Sequence, residues 1–316
     1  NVNQLDQYLL KYAINRERIY DIIEKPIGSL DNNNCIRDDK LNAYVNIIYG
    51  CNKFCTYCIV PYVRGREKSR TAQDIYNEVK DLVQNQGYKY ITLLGQNVNS
   101  YGKDLKDKMS FKIKFMTSHP MDLGDDLIKV MKKEDKVAKA LHLPVQSGSS
   151  RILAKMNRHY DIKHYMSIIK KLKHAIPNIA LSTDIIVGFP GETEKDFNQT
   201  LKLLKKVKYD QVFAFMYSKR TGTPAATFEG QIDDKEKNIR LNKLLRLQKL
   251  IQKDQIKKYF NKTYDCLIRH INGVAVGITD GGKEVYIPNY KYVNQNYFAK
   301  VKIENIRNHK LSGVIK

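Results

Sequence analysis

The stretch Cys51-Asn52-Lys53-Phe54-Cys55-Thr56-Tyr57-Cys58 decides the reading of this chain. It stands between an apolar run, 43–49, and a basic loop, 64–70. Three cysteines spaced C-x3-C-x2-C directly follow a predicted buried strand. A structural zinc ion wants four ligands, yet no second cysteine pair exists and no histidine stands nearer than His119. Three soft thiolates suit a 4Fe-4S cluster that keeps one iron open for an exogenous ligand. Zinc and plain buried cysteines stay open as alternatives at this point.

Working outward, short apolar or β-branched runs alternate with helical stretches. Strands are predicted at 43–49, 90–94, 111–117, 140–145, 179–187 and 211–217, apolar enough to be buried on both faces. Helices are predicted at 72–86, 162–175 and 194–207. The pattern predicts an α/β fold, a partial (β/α)6 barrel of six parallel strands, open rather than closed. In such folds the chemistry gathers on the loops that leave the strands' C-terminal ends. Here those loops carry Gly50-Cys51, Gly95-Gln96-Asn97, Ser118-His119-Pro120, Gln146-Ser147-Gly148, Gly188-Phe189-Pro190-Gly191-Glu192 and Ser218-Lys219-Arg220. The connection 95–110 is short for a parallel crossover and shows little helical periodicity. Before the barrel, 5–23 reads as an apolar helix and an Asn-rich stretch reads as a linker. After it, 234–262 reads as one basic helix with Leu241, Leu244, Leu247 and Ile251 on its apolar face. Strands at 265–270, 274–278, 284–287 and 299–306 then predict a small antiparallel β-barrel.

The chain has 316 residues, room for roughly two domains at about 150 residues each. No apolar stretch approaches the roughly 20 residues that span a bilayer, so no membrane is expected among its partners. Five cysteines, three of them within eight positions, are not a disulfide framework. The formal charge of +22 fits a polyanionic partner. Of the 55 basic residues 42 are Lys, which is also how an AT-rich genome biases codons, so the charge permits RNA without requiring it. Arg64, Arg66, Lys68 and Arg70 flank the cysteine loop and are expected to oppose a phosphate backbone. His119, His142, His159 and His164 share no ligand spacing and read as structural or loop residues.

With these residues in view, the C-x3-C-x-aromatic-C signature after the first strand resembles the radical S-adenosylmethionine (SAM) enzymes. In them the open iron chelates SAM, and one-electron reduction gives a 5′-deoxyadenosyl radical. Four stretches resemble the methylthiotransferase branch: 51–70, "LGQNVNSYG" from Leu94, "LHLPVQSGSSRILAKMNRHY" from Leu141 and "STDIIVGFPGETEKDF" from Ser182. They resemble most the tRNA 2-methylthio-N6-isopentenyladenosine synthase group. The resemblance makes Cys51, Cys55 and Cys58 the cluster ligands and the seat of catalysis, with Tyr57 beside the adenine of SAM. It places Gln96 and Asn97 at the methionine end of SAM, and Gln146 and Ser147 at its ribose or carboxylate. Gly188 and Glu192 belong to a glycine-containing motif that approaches adenine. Asp184 is either a ligand contact or a satisfied structural acid.

The resemblance implies methylthiolation at C2 of N6-isopentenyladenosine next to a tRNA anticodon. The partners would be tRNA, a reductant protein of ferredoxin or flavodoxin type and a sulfur donor. The final barrel resembles the TRAM domain, an RNA-binding module. The expected organisation is 1–40 as the remnant of an N-terminal domain and linker, 41–232 as the radical SAM core, 233–262 as a connecting helix and 263–316 as the TRAM-like domain. Complete methylthiotransferases carry three more N-terminal cysteines for an auxiliary 4Fe-4S cluster. Only Cys35 precedes Cys51 here, so the auxiliary cluster, and with it sulfur insertion, is expected only in a fuller-length protein. Alternative readings are a methylthiotransferase acting on threonylcarbamoyladenosine, or a non-catalytic RNA-binding protein with a structural metal site. The expected compartment is an organelle, plastid-like or mitochondrial, of an AT-rich eukaryote, or a bacterial cytoplasm.

Overall fold

The computed structural model describes residues 5–15, 37, 41–98, 112–116, 118–271, 274–288, 290, 297–307 and 310–316. It begins with α1 (Leu5–Asn15), then β1 (Asn42–Asn46), β2 (Ile48–Tyr49), α2 (Val60–Arg64), β3 (Lys68–Ser69) and α3 (Ala72–Gln84). There follow β4 (Tyr90–Leu94), β5 (Lys112–Phe115), α4 (Asp125–Lys133), β6 (Ala140–His142), α5 (Ser150–Lys155), α6 (Ile162–Ala175), β7 (Ala180–Val187), α7 (Glu194–Val207) and β8 (Gln211–Met216). The long helix α8 (Asp234–Ile256) leads to β9 (Thr263–Ile271), β10 (Val274–Thr279), β11 (Glu284–Ile287), β12 (Tyr297–Arg307) and β13 (Lys310–Ile315).

The six predicted strands form two three-stranded parallel sheets, β1-β4-β5 and β6-β7-β8. A parallel bridge between Ile113 and Val137 links β5 to the segment entering β6. Alternate residues face the helices: Ala43, Val45, Ile91, Leu141, Leu181, Ile185 and Val187 join one core with Ile75, Val79, Ile168, Leu172 and Leu204. The expectation of strands buried on both faces fails at the sheet edges. On β1 Tyr44 is 51% exposed, and on β8 Phe215 is 55% exposed. Each belongs to an edge strand with one neighbour in its sheet.

Helix starts follow local chemistry. Thr71, Asp161 and Thr193 each accept a backbone N–H of the first turn through their side chains, and Thr193 with Asp196 closes a capping box. The helix predicted at 234–262 ends at Ile256 and tightens into a 3-10 turn, Lys257–Tyr259. Leu244 and Ile251 of its apolar face are buried against the main core, with Leu241 and Leu247 packed beside them.

The predicted run 43–49 divides. After β1 the chain turns, and β2 pairs antiparallel with β3. That short ribbon clamps both ends of the cysteine loop. The C-terminal part is a closed five-stranded barrel, in the order β10-β11-β13-β12-β9. It is not antiparallel throughout, because β11 and β13 run parallel. The reason is parity: alternation cannot close around an odd number of strands, so one neighbouring pair must agree in direction. The sequence reading missed β13. Of the remaining expectations, 16–23, Cys35 and most of the Asn-rich linker, together with the middle of the crossover 95–110, lie outside the described residues.

Candidate active site

The cysteine loop is shaped by backbone hydrogen bonds. The Cys51 amide donates to Gly65 O at 3.1 Å, Cys55 N to Lys53 O at 2.9 Å and Cys58 N to Cys55 O at 3.0 Å. Gly50 precedes it with φ +70°, and a Cβ there would stand 2.2 Å from the Arg66 carbonyl oxygen, so glycine is required. From across the fold Thr56 N donates to Met156 O, Asn157 Nδ2 to Phe54 O at 2.6 Å and Ala225 N to Thr56 O. The loop is therefore held by the turn after α5 and by the loop after β8.

Cys55 is buried, and Cys51 and Cys58 are partly buried. Burial pushes the Cys51 thiol up, and Glu67, Cys55 and Cys58 add to this against a hydrogen bond from Lys53 N. Burial likewise raises Cys58, opposed first by a hydrogen bond from the Val60 backbone N–H, with Cys55 adding to the rise and Arg158 and Arg220 also opposing it. Three soft thiolates on one loop, with no histidine or carboxylate beside them to complete a four-ligand zinc site among the hydrogen-bonded neighbours described above, are a donor set that fits a 4Fe-4S cluster.

Beside the thiols lies a guanidinium that the sequence reading did not single out. Arg158 is 7% exposed. Its Nη1 donates to Cys55 Sγ at 3.5 Å and to Tyr57 OH at 3.4 Å, its Nε to Tyr160 OH at 3.0 Å and its Nη2 to Pro144 O at 3.0 Å. It stood inside the quoted string "MNRHY" without a role, since sequence alone does not show which arginine is buried.

The loops after the other strands meet this one at the same end. Asn97, after β4, is 1% exposed and donates to Asp122 at 2.7 Å, and Lys53 of the cysteine loop reaches the same Asp122 at 3.1 Å. The neighbouring Gln96 Oε1 is buried without a hydrogen-bond partner, as are Ser118 Oγ after β5 and Tyr217 OH after β8. Buried polar groups are almost always satisfied. Three unfilled ones at the rim that carries the thiols fit a polar ligand there. Gln146 adopts φ +68°, an uncommon backbone conformation for a non-glycine residue, with its amide bonded to Asp184 O. Ser147 is fully buried and accepts the Ser149 amide.

Other predicted residues face elsewhere. The Asp184 carboxylate lies 3.4 Å from His142 Nε2, and His142 Nδ1 lies 2.9 Å from Ser182 Oγ. The carboxylate offered as a ligand contact or a satisfied structural acid thus has a partner in His142, which was expected only as a structural or loop residue. Glu192 is 4% exposed, accepts the Gly188 amide and pairs with Arg240 of α8 at 2.8 Å. Arg64, Arg66 and Lys68 are exposed. Arg70 is not on that surface. It is 6% exposed and engaged by Glu78 and the Asn46 carbonyl, so the expected phosphate-facing set loses it.

Residues 45–204 match the model of the radical SAM superfamily. A tRNA-2-methylthio-N(6)-dimethylallyladenosine synthase of Clostridium botulinum (strain Loch Maree / Type A3) is 50% identical over 85% of this chain and 62% of its own length. One from C. botulinum (strain Langeland / NCTC 10281 / Type F) is 46% identical over 99% of this chain and 73% of its own. One from Thermoanaerobacter sp. (strain X514) is 50% identical over 86% and 60%. Among solved structures, coproporphyrinogen III oxidase from Escherichia coli, a radical SAM enzyme, superposes with a TM-score of 0.51 over 84% of this chain and 67% of that one, at 13% identity. That likeness speaks for the fold. The chain spans 62% of the length of the C. botulinum Loch Maree relative.

Proposed function

The chain belongs to the radical SAM superfamily and, within it, to the tRNA-2-methylthio-N(6)-dimethylallyladenosine synthase family, and on that premise we propose that it takes part in methylthiolating C2 of N6-isopentenyladenosine beside a tRNA anticodon. Cys51, Cys55 and Cys58 hold a 4Fe-4S cluster and leave one iron for SAM. The observation that carries this is the thiol triad on a loop clamped at the C-terminal ends of parallel strands, with a buried cation against it. When bound, the cluster supplies the electron that cleaves SAM reductively.

The chain's own residues bind and orient. Gln96, Asn97, Gln146 and Ser147 line the rim where SAM would lie, and the unsatisfied Gln96 Oε1 supports that placement. Tyr57 packs against the cluster of Ile152, Met156, Phe189 and Tyr217, a wall that excludes water beside the thiols. Gly188 offers backbone without a side chain. Glu192 acts through its grip on the Gly188 amide and on Arg240. Asp184 and His142 form a polar pair on the inner face, in which the carboxylate is the partly exposed member.

Arg64, Arg66 and Lys68 make a basic rim for RNA phosphates, and the closed C-terminal barrel serves as a TRAM-like RNA-binding module. We divide the chain into a partial (β/α)6 core at 41–232, a connecting helix at 233–262 and the barrel at 263–316. The electron comes from a ferredoxin- or flavodoxin-type protein and the sulfur from a separate donor. The bacterial relatives favour a bacterial cytoplasm, and none of them favours an organelle. Among the described residues the one further cysteine, Cys266, is buried in the barrel core and is not placed for an auxiliary cluster.

The test is anaerobic: reconstituted protein, dithionite, SAM and tRNA bearing either isopentenyl- or threonylcarbamoyl-adenosine. We expect 5′-deoxyadenosine from the wild type and none from Cys55→Ala, with binding preference for the isopentenyl tRNA. Undiminished 5′-deoxyadenosine from Cys55→Ala would refute the cysteine assignment, and preference for the other tRNA would refute the substrate.

A further inference from the structure

Arg158 poses a problem of charge. A buried ion is tolerated when an opposite charge or a metal centre answers it, and is otherwise strongly disfavoured. The groups set against Arg158 are two tyrosine hydroxyls, a carbonyl oxygen and the Cys55 thiol. The face of the Tyr160 ring, 5.2 Å away, adds a weak attraction. None of these partners is a carboxylate. The guanidinium is also fixed: its other two arms are anchored to Tyr160 and Pro144, so the Nη1 edge toward Cys55 is not free to swing away.

We propose that Arg158 is a positioning residue that serves as the counter-charge of the cluster and raises its reduction potential through the hydrogen bond to Cys55 Sγ. This rests on the cluster reading above. The oxidised core with three thiolates carries one net negative charge, and accepting an electron makes it two. A fixed cation at hydrogen-bond distance from a ligand sulfur stabilises the second charge more than the first. Charge and hydrogen bonds to the sulfurs are among the factors that set the potentials of such clusters. The burial of Arg158 limits screening by water and salt. Arg220, which also acts on Cys58, is exposed and would have little such effect.

The experiment is a redox titration of the reconstituted cluster, followed by electron paramagnetic resonance, in wild type, Arg158→Gln, Arg158→Lys and Arg220→Gln. Arg158→Gln should keep its iron and shift to a more negative midpoint. Arg158→Lys should fall between it and wild type, since it keeps the charge and loses the fork. Arg220→Gln should match wild type. An unshifted midpoint in Arg158→Gln with full iron would overturn the proposal. If that variant fails to fold, wild type labelled with 15N-arginine carries the test. Pulsed resonance of the reduced cluster, without SAM, should show a weak 15N coupling, and its absence would overturn the proposal. Wild type that takes up no iron would instead refute the cluster reading on which this rests.

Discussion

His119 shows how the site treats single charges. It is 6% exposed and lies edge-on to Tyr160 with ring centroids 5.6 Å apart. Burial, then the charges of Arg158, Lys53 and His159, push its pKa down to about 2. The ring is neutral at physiological pH, so its 3.9 Å approach to Asp122 is not an ion pair. An unfolded histidine takes a proton near pH 6.5 and the folded one does not. This contribution to stability is therefore full above about 6.5 and is lost as pH falls toward 2, approaching about 1.4 kcal/mol per pH unit. His119→Asn should flatten the acid limb of denaturant stability between pH 7 and 5 by about 1 kcal/mol per pH unit on average, and an unchanged slope would contradict the assignment. The cysteines were legible in the sequence because their chemistry lies in their spacing. Arg158, His119 and His142 were not, because their roles come from burial and from partners far off in sequence, such as Cys55, 103 positions from Arg158, and Asp184 for His142.

Among the elements, α7 shows how a helix start supports the rim. Asp196 closes its capping box and also takes Ser149 Oγ–H at 2.6 Å and the Arg151 guanidinium. It thereby ties α7 to the start of α5, whose end holds the cysteine loop. Burial alone would raise this carboxyl, but the hydrogen bonds from Arg151, Ser149 and Thr193 outweigh it and hold it below the usual range. Its contribution is present above about pH 4 and is lost as pH falls through the carboxylate range. Asp196→Asn should cost about 2 kcal/mol at pH 7, and the difference from wild type should shrink on acidification. Urea midpoints at pH 7 and 3.5 measure both. On α8, Leu244 is fully buried, and Leu244→Ala should cost about 3 kcal/mol in the same assay. Such helices were legible because their periodicity and caps are local. The break after β1 and the extra strand β13 were not, since both are defined by pairing across the chain.

At the scale of the whole molecule, the C-terminal barrel docks at the end of the sheets opposite the thiols. Asp280 accepts Tyr90 OH at 3.4 Å and the Lys139 amide at 3.0 Å, and Phe298 lies 5.7 Å from the Tyr90 ring. Gly281 lies against the Ala180 Cβ, which a side chain at 281 would approach within 2.6 Å. Gly281→Val should loosen this contact, seen as several-fold faster limited proteolysis between α8 and β9, and wild-type resistance would argue against it. The alternation of strands and helices made the α/β class legible. The docking was not, because it depends on one turn of the barrel meeting strand starts far away in sequence. The proposed function requires the triad to hold one cluster. The direct measurement is iron, labile sulfide and zinc per chain after anaerobic reconstitution, in wild type and Cys58→Ala. Wild type should hold about four irons and four sulfides, and the variant should lose them. One tightly held zinc and no iron in wild type would overturn the cluster.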